Sequence, residues 1–172
     1  MKKILLALLV FYCFNAHAQT TTTTPAISTG FELAIPSNGV YSIGTGASLK
    51  GELPIINPVS LTLTGGFTSM FHKSNLFNSS RTPGAAVFVP LKAGLKYYFN
   101  KSVYAEGEAG TAIETNAIET DYTKKNSFAF SIGLGFIVPV GEKNGVDIGF
   151  RYENWSNKLS QTAIRIAYRF GL

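Results

Sequence analysis

The sequence of 172 residues contains a single cysteine, Cys13, and it lies in the N-terminal segment. A chain without that segment has no disulfide and no thiol chemistry. His72 is the only histidine beyond the segment, and one histidine without cysteine cannot build a nitrogen and sulfur metal site. Lys and Arg form no run or stripe of the kind that binds nucleic acid. We therefore expect no metal, no other cofactor and no nucleic-acid partner.

Long apolar runs are equally scarce, and the clearest one, at residues 4–14, is too short to cross a bilayer as a helix, which takes about 20 residues. Lys2 and Lys3 precede the run, and Ala-His-Ala follows it at residues 16–18. This order predicts a signal peptide over residues 1–18 that is cleaved after Ala18. Residues 19–28, which include five consecutive threonines, are predicted to be a periplasmic leader. Residues 29–172 form the remaining domain.

The most informative feature present is an alternation of large apolar and mostly small residues over residues 128–140. A period of two indicates a strand rather than a helix. A strand that crosses a membrane needs about 9–11 residues, with one face towards lipid and the other towards the inside of a closed barrel. This segment is long enough and apolar enough to be such a strand.

Seven further segments show similar patterns, and the fold class they predict is all-β. The eight predicted strands cover residues 30–35, 40–53, 59–72, 86–99, 103–115, 128–140, 146–154 and 162–170. Tyr41 and Ile43 are among the residues expected to face lipid. The connections at 54–58, 100–102 and 141–145 are short, whereas those at 73–84 and 116–125 are longer and polar. Outer-membrane barrels have short periplasmic turns and longer outer loops. We therefore predict an eight-stranded antiparallel up-and-down transmembrane β-barrel with both termini in the periplasm.

The opposite face of the predicted strands carries charge. Six acids and six bases point inward by parity: Glu32, Lys50, Glu52, Lys92, Lys96, Glu106, Glu108, Asp147, Arg151, Glu153, Arg165 and Arg169. A barrel of eight strands is just wide enough for side chains to fill it. The balance of sign therefore predicts a polar, side-chain-filled interior, plugged by a charge network, rather than an open pore.

Aromatic residues near the predicted strand ends suggest two girdles at the membrane interfaces. The predicted members are Phe71, Tyr97, Phe99, Phe128, Tyr152, Trp155, Tyr168 and Phe170. Leu76 and Phe77, like Trp155, are apolar residues in otherwise polar outer connections. We expect these three to lie at the membrane interface or against a surface partner.

The signal peptide, the eight alternating segments and the final strand Ile164-Arg165-Ile166-Ala167-Tyr168-Arg169-Phe170 together resemble a known family. It is the family of small outer-membrane β-barrel proteins, porin-like and similar in build to OmpX and the transmembrane domain of OmpA. The resemblance covers residues 28–172. It implies a monomer in the outer membrane of a Gram-negative cell, surrounded by lipid and lipopolysaccharide. It also implies assembly by the barrel assembly machinery, which reads a terminal aromatic residue, although Gly171 and Leu172 here follow Phe170.

One short motif suggests chemistry. His-Lys-Ser-Asn at residues 72–75 is similar to a stretch in lipid A deacylases, in which a histidine activates a serine. The motif of that family lies near the C-terminus, however, and residues 75–92 contain no carboxylate to orient the histidine. A structural or surface-interaction barrel, serving adhesion or envelope integrity, is therefore the favoured function and no enzyme is expected. The alternatives are a narrow porin-like channel for small solutes and a lipid A-modifying hydrolase that uses His72 and Ser74.

Overall fold

The protein is a closed barrel of eight antiparallel strands in the order of the chain. The computed structural model describes residues 24–37, 39–73, 85–115, 126–156 and 159–172. The strands are β1 Ala26–Pro36, β2 Tyr41–Ile56, β3 Val59–His72, β4 Ala86–Tyr98, β5 Val103–Glu114, β6 Asn126–Pro139, β7 Gly145–Trp155 and β8 Leu159–Gly171. β1 pairs with β8 and closes the barrel. The predicted fold class is thus confirmed. No helix in these ranges is long and apolar enough to cross a membrane.

The two ends of the barrel differ. At one end, called the turn end here, residues 57–58, 99–102 and 140–144 connect the strands, and Ala26 pairs with Gly171, so β1 begins and β8 ends there. At the other end, called the loop end, residues 37–40, 73–85, 115–125 and 156–158 make the connections. The two long connections, 73–85 and 115–125, therefore both lie at the loop end, where 37–40 and 156–158 are as short as the turns of the opposite end.

The alternation in sequence becomes an alternation between the two faces of the wall. On β6 the outward side chains of Ile132 and Leu134 are 65% and 60% exposed, whereas the inward Ser131 is 5% exposed. A Lys or Arg on a lipid-facing surface near the bilayer midplane costs about 2–4 kcal/mol. This cost explains why charged residues on the strands keep to the inward parity.

Every strand except β3 has an end that differs by one to four residues from the sequence-based prediction, and β2 continues through part of the predicted turn to Ile56. β1 begins at Ala26, so three residues assigned to the leader pair with β2 and β8 instead. β7 extends to Trp155, and β8 begins at Leu159 rather than 162. The polar residues Ser28, Asn154 and Ser160 obscured these extensions of β1, β7 and β8, although the alternation of inward and outward residues includes them.

The prediction that Tyr41 faces lipid is wrong. The pairing of β2 with β3 shifts by one residue between Tyr41, which pairs with His72, and Ile43, which pairs with Phe71. An extra residue in one strand of a pair reverses the side to which the following residues point. Ile43 therefore stays outward, while Tyr41 packs against the buried side chains inside the barrel.

Candidate functional site

The barrel interior is built in three layers along its axis. An apolar cluster lies towards the loop end, a belt of charged side chains fills the middle, and Tyr98, Tyr104 and Ile137 form a layer at the turn end. The belt brings together all twelve charged residues that were predicted to point inward. Its ion pairs connect residues far apart in sequence, such as Glu32 on β1 with Arg151 on β7, and Glu52 on β2 with Arg169 on β8.

Ten of the twelve charged residues form a closed ring of alternating bases and acids. Each acid of the ring contacts two bases, with N···O distances of 3.9 Å or less throughout. The order is Lys96, Glu106, Lys50, Glu108, Lys92, Glu153, Arg151, Glu32, Arg165, Asp147 and back to Lys96. Glu52 and Arg169 attach to the ring as a branch through Lys96. The alternation of sign leaves no member of the ring without an opposite charge.

Lys96 is the hub of the network. Its side chain is fully buried, and its Nζ contacts Glu52, Asp147 at 3.3 Å and Glu106 at 3.8 Å. The same ammonium lies 4.0 Å from the centre of the Tyr104 ring, an arrangement that adds a cation–π attraction. Tyr104 in turn donates a hydrogen bond to Asp147, and Tyr98 donates one to Glu52 at 2.6 Å. The belt and the tyrosine layer are therefore one connected structure.

Arginine anchors the other half of the ring. Arg151 donates to both oxygens of Glu32, at 3.3 and 2.6 Å, in the forked geometry that suits a guanidinium and a carboxylate. Arg165 donates from Nε to the hydroxyl of Ser48 at 2.9 Å and from Nη2 to Ser28. Because the planar guanidinium offers five donors, Arg165 on β8 can bond to both β1 and β2 across the β1–β8 closure.

Inward glycines make room for the long charged side chains. A Cβ added to Gly133 would lie 2.8 Å from the Cβ of Arg151, and one added to Gly94 would lie 2.8 Å from Cγ of Glu108. At Gly135 it would lie 2.3 Å from the hydroxyl of Tyr104. At Gly94 and Gly133 the added Cβ would lie closer still to backbone oxygens of the neighbouring strand, so these two glycines also permit the close approach of the strands, whereas Gly135 makes room for Tyr104 alone.

The prediction that Trp155 belongs to the aromatic girdle, or to an outer connection, is wrong. Trp155 lies inside the barrel, 1% exposed, where its ring packs 4.9 Å from that of Phe88. Its Nε1 donates to Glu153 at 3.0 Å, so it links the apolar cluster to the belt. The strand parity that places Glu153 inward also places Trp155 inward once β7 is extended by one residue.

The other predicted girdle residues lie on the outer face. Phe71, Phe128 and Tyr152 are exposed near the loop end. At the turn end, Tyr97 packs against Phe99 and Tyr168 against Phe170, with ring centres 5.3 and 4.7 Å apart. The sequence-based prediction did not assign Tyr98 and Tyr104 to the site. Tyr98 shares its parity with Lys96 on β4, and Tyr104 shares its parity with Glu106 on β5, so both could have been placed inside.

Only part of the motif for chemistry can be placed. His72 is half-buried at the loop end, and its ring lies 4.8 Å from that of Tyr41. Ser74 lies outside the described residues, as do Leu76 and Phe77. Within the described ranges, no group of three or more His, Cys, Asp or Glu residues is arranged to hold a metal ion.

Comparisons with known proteins point to one kind of molecule. The family model described as outer membrane protein beta-barrel domain matches residues 4–170. Ail, the attachment invasion locus protein of Yersinia pestis, is 18% identical with a TM-score of 0.58, covering 87% of this chain and 100% of its own. OprG of Pseudomonas aeruginosa is 14% identical with a TM-score of 0.59, covering 90% and 99%. AlkL is 10% identical with a TM-score of 0.59, covering 90% and 92%. At these identities the likeness is one of fold. No protein of curated function matches the chain.

Proposed function

This chain belongs to the outer membrane protein β-barrel domain family, and we propose that it acts through its surface and its stability rather than by passing solutes. The observation that carries the proposal is the filled interior. Lys92, Lys96 and Trp155 are each at most 1% exposed, although they belong to different layers of the interior. A solute would have to displace both the apolar cluster and the ion-pair ring.

The loop end is the surface that we assign to interaction. Its connections, residues 37–40, 73–85, 115–125 and 156–158, carry five bases and two acids: Lys73, Arg81, Lys124, Lys125 and Lys158 against Glu119 and Asp121. A basic surface attracts anionic polymers over a range set by the ionic strength. Ail, which shares the fold, has also been crystallised in complex with the heparin analogue sucrose octasulfate. We therefore propose sulfated or phosphorylated polysaccharide, including lipopolysaccharide, as the partner class.

Heparin binding by the full barrel in lipid nanodiscs tests this assignment. We expect the wild-type protein to bind immobilised heparin at low salt, and the double variant Lys124→Glu/Lys125→Glu to lose most of that binding. The double variant Lys124→Arg/Lys125→Arg keeps the charge of both positions and is the matched control. Equal losses in the two double variants, or no binding by the wild type, would contradict the assignment.

The proposal includes a topology. We assign the turn end and both termini to the periplasm, since outer-membrane barrels have their short turns on that side, and we assign signal cleavage to the bond after Ala18. Assembly then requires the barrel assembly machinery, and the barrel remains a monomer. Because the chain after Ala18 has no cysteine, single cysteines report topology directly. An impermeant maleimide added to intact cells should label Lys73→Cys and leave Lys101→Cys unlabelled, and the reverse pattern would invert the topology.

A further inference from the structure

The turn end of the barrel contains a cavity that the proposed function does not use. It has a volume of about 530 Å³ and lies between the turns at 99–102 and 140–144, with Thr24 at its edge. Tyr98 and Ile137 contribute to its lining and separate it from the ion-pair belt. This cavity is called the vestibule here. Its size is in the range of small-molecule sites, which span about 300–1,000 Å³.

The vestibule departs from the charge balance of the belt. Its lining includes three bases, Lys101, Lys143 and Arg169, and one acid, Glu142. Within the described part of the chain, neither Lys101 nor Lys143 forms an ion pair, and both are exposed. The belt, in contrast, matches every base with a carboxylate. The unpaired positive charge therefore lies at this opening, outside the balanced belt.

Arg169 lies where the vestibule meets the belt. Its Nη2 makes two long contacts, 3.4 Å to Glu52 Oε2 and 3.4 Å to the carbonyl oxygen of Thr24. Its Nε is buried and has no hydrogen-bond partner among the described residues. Arg169 shares the Glu52 carboxylate with Lys96, which donates to Oε1, and with Tyr98, which donates to Oε2. A guanidinium in this state has donors left for an anion.

We propose that the vestibule binds a phosphate group, with Arg169 at its base and Lys101 and Lys143 at its rim. A tetrahedral phosphate accepts several hydrogen bonds at once and suits both a guanidinium fork and flexible ammonium groups. The tyrosine layer and Pro139 provide an apolar surface for the carbon atoms of a phosphate ester. The phosphate has two sources, the headgroup of an anionic lipid at the membrane surface or a soluble phosphate ester.

Titration of the full barrel with glycerol 3-phosphate tests the site. In phosphatidylcholine nanodiscs at low salt, we expect saturable shifts of the amide NMR signals of Ser102 and Asn144, and no shift at Lys73. Lys101→Ala/Lys143→Ala leaves the Arg169–Glu52 pair in place and should weaken binding about tenfold for each charge-assisted hydrogen bond lost. Lys73→Ala, at the opposite end, should leave the affinity unchanged. Equal shifts at both ends, or equal affinity in the wild type and the double variant, would overturn the proposal.

A second pair of variants isolates Arg169. Arg169→Gln removes the charge and should abolish saturation, whereas Arg169→Lys keeps the charge and should restore part of the affinity. If Arg169→Gln binds as tightly as the wild type, the vestibule is not the site. Nanodiscs that contain phosphatidylglycerol separate the two sources: a headgroup in the vestibule shifts the Ser102 and Asn144 signals before any titrant is added, whereas a site for soluble esters leaves them unshifted. Heparin binding at the loop end is a separate readout, so either proposal can fail without the other.

Discussion

The ionic belt and the apolar cluster fill neighbouring parts of one barrel interior by different means. In the belt, long side chains such as Lys92 and Lys96 reach across the lumen to carboxylates on other strands. In the cluster, Met70, Phe88 and Trp155 pack against small residues of the facing strands, mainly alanines. The comparison shows that the lumen can be closed either by charge pairing or by volume. Each mode makes the barrel sensitive to a different kind of substitution.

The energetics of the two regions differ for the same reason. A buried ion pair contributes little net stability relative to an apolar replacement of both partners, but removal of one partner leaves an uncompensated charge. The apolar cluster instead loses stability in proportion to the cavity that a truncation creates. Charge-changing variants should therefore separate from volume-changing variants according to the layer in which they lie.

The largest effect is expected at the hub of the belt. Lys96→Met keeps the length of the side chain but leaves Glu52, Glu106 and Asp147 without their shared ammonium. Breaking a buried pair costs about 3–5 kcal/mol, and we expect a loss in that range in the free energy of unfolding, measured by urea titration in lipid vesicles. Lys101→Met, at an exposed position, is the control and should change the free energy by less than about 0.5 kcal/mol. A loss at Lys96 as small as that of the control would show that the belt does not depend on pairing.

The next largest effect is expected for a truncation in the apolar cluster, and it tests how much side-chain volume contributes to stability. Trp155→Ala empties part of the apolar cluster and removes the hydrogen bond to Glu153, so we expect a loss of about 3 kcal/mol in the same urea titration. Tyr152→Ala truncates a neighbouring aromatic residue that faces lipid, where the surrounding chains fill the gap, and should cost less. Similar losses in the two variants would place Trp155 in the girdle after all.

A pair of glycine substitutions compares the inside of the wall with the outside. Gly135→Ala places a Cβ 2.3 Å from the Tyr104 hydroxyl and should displace it from Asp147, with a loss of about 1–3 kcal/mol in the free energy of unfolding. Gly107→Ala faces outward, where the nearest atom would lie 4.0 Å away. Its effect should stay within about 0.5 kcal/mol. If both variants are neutral, inward glycines are not needed to accommodate the belt.

The smallest effect is expected for the His-Lys-Ser-Asn motif at residues 72–75. We expect His72→Ala, and likewise Ser74→Ala, to leave the lipid A of expressing cells unchanged, because the proposed function is not catalytic. Mass spectrometry of lipid A from cells with the wild-type chain, each variant and an empty vector checks this. A modification that requires both His72 and Ser74 would instead establish the hydrolase.

The sequence predicted the strand order and the inward or outward side of most residues well, but not which charged side chains contact each other. A period of two, together with the cost of charge in lipid, is enough to place Glu32 or Lys96 on the inward face. It cannot show that Lys96 on β4 contacts Glu52 on β2 and Asp147 on β7, because those strands do not pair with β4. Tyr41 was misplaced because the regular period fails at the β2 bulge, for which the local pattern carries no signal. Trp155 was misplaced because the end of β7 was underestimated, although the period of two continues to it.

The most direct test of the account is the electrical conductance of the mature protein in planar bilayers. With insertion verified by protease protection, the filled interior predicts no steady single-channel current above that of the lipid across a range of applied voltage. A stable open level in the wild-type protein would contradict the account, because it would require a continuous water path past the closed ring of ion pairs.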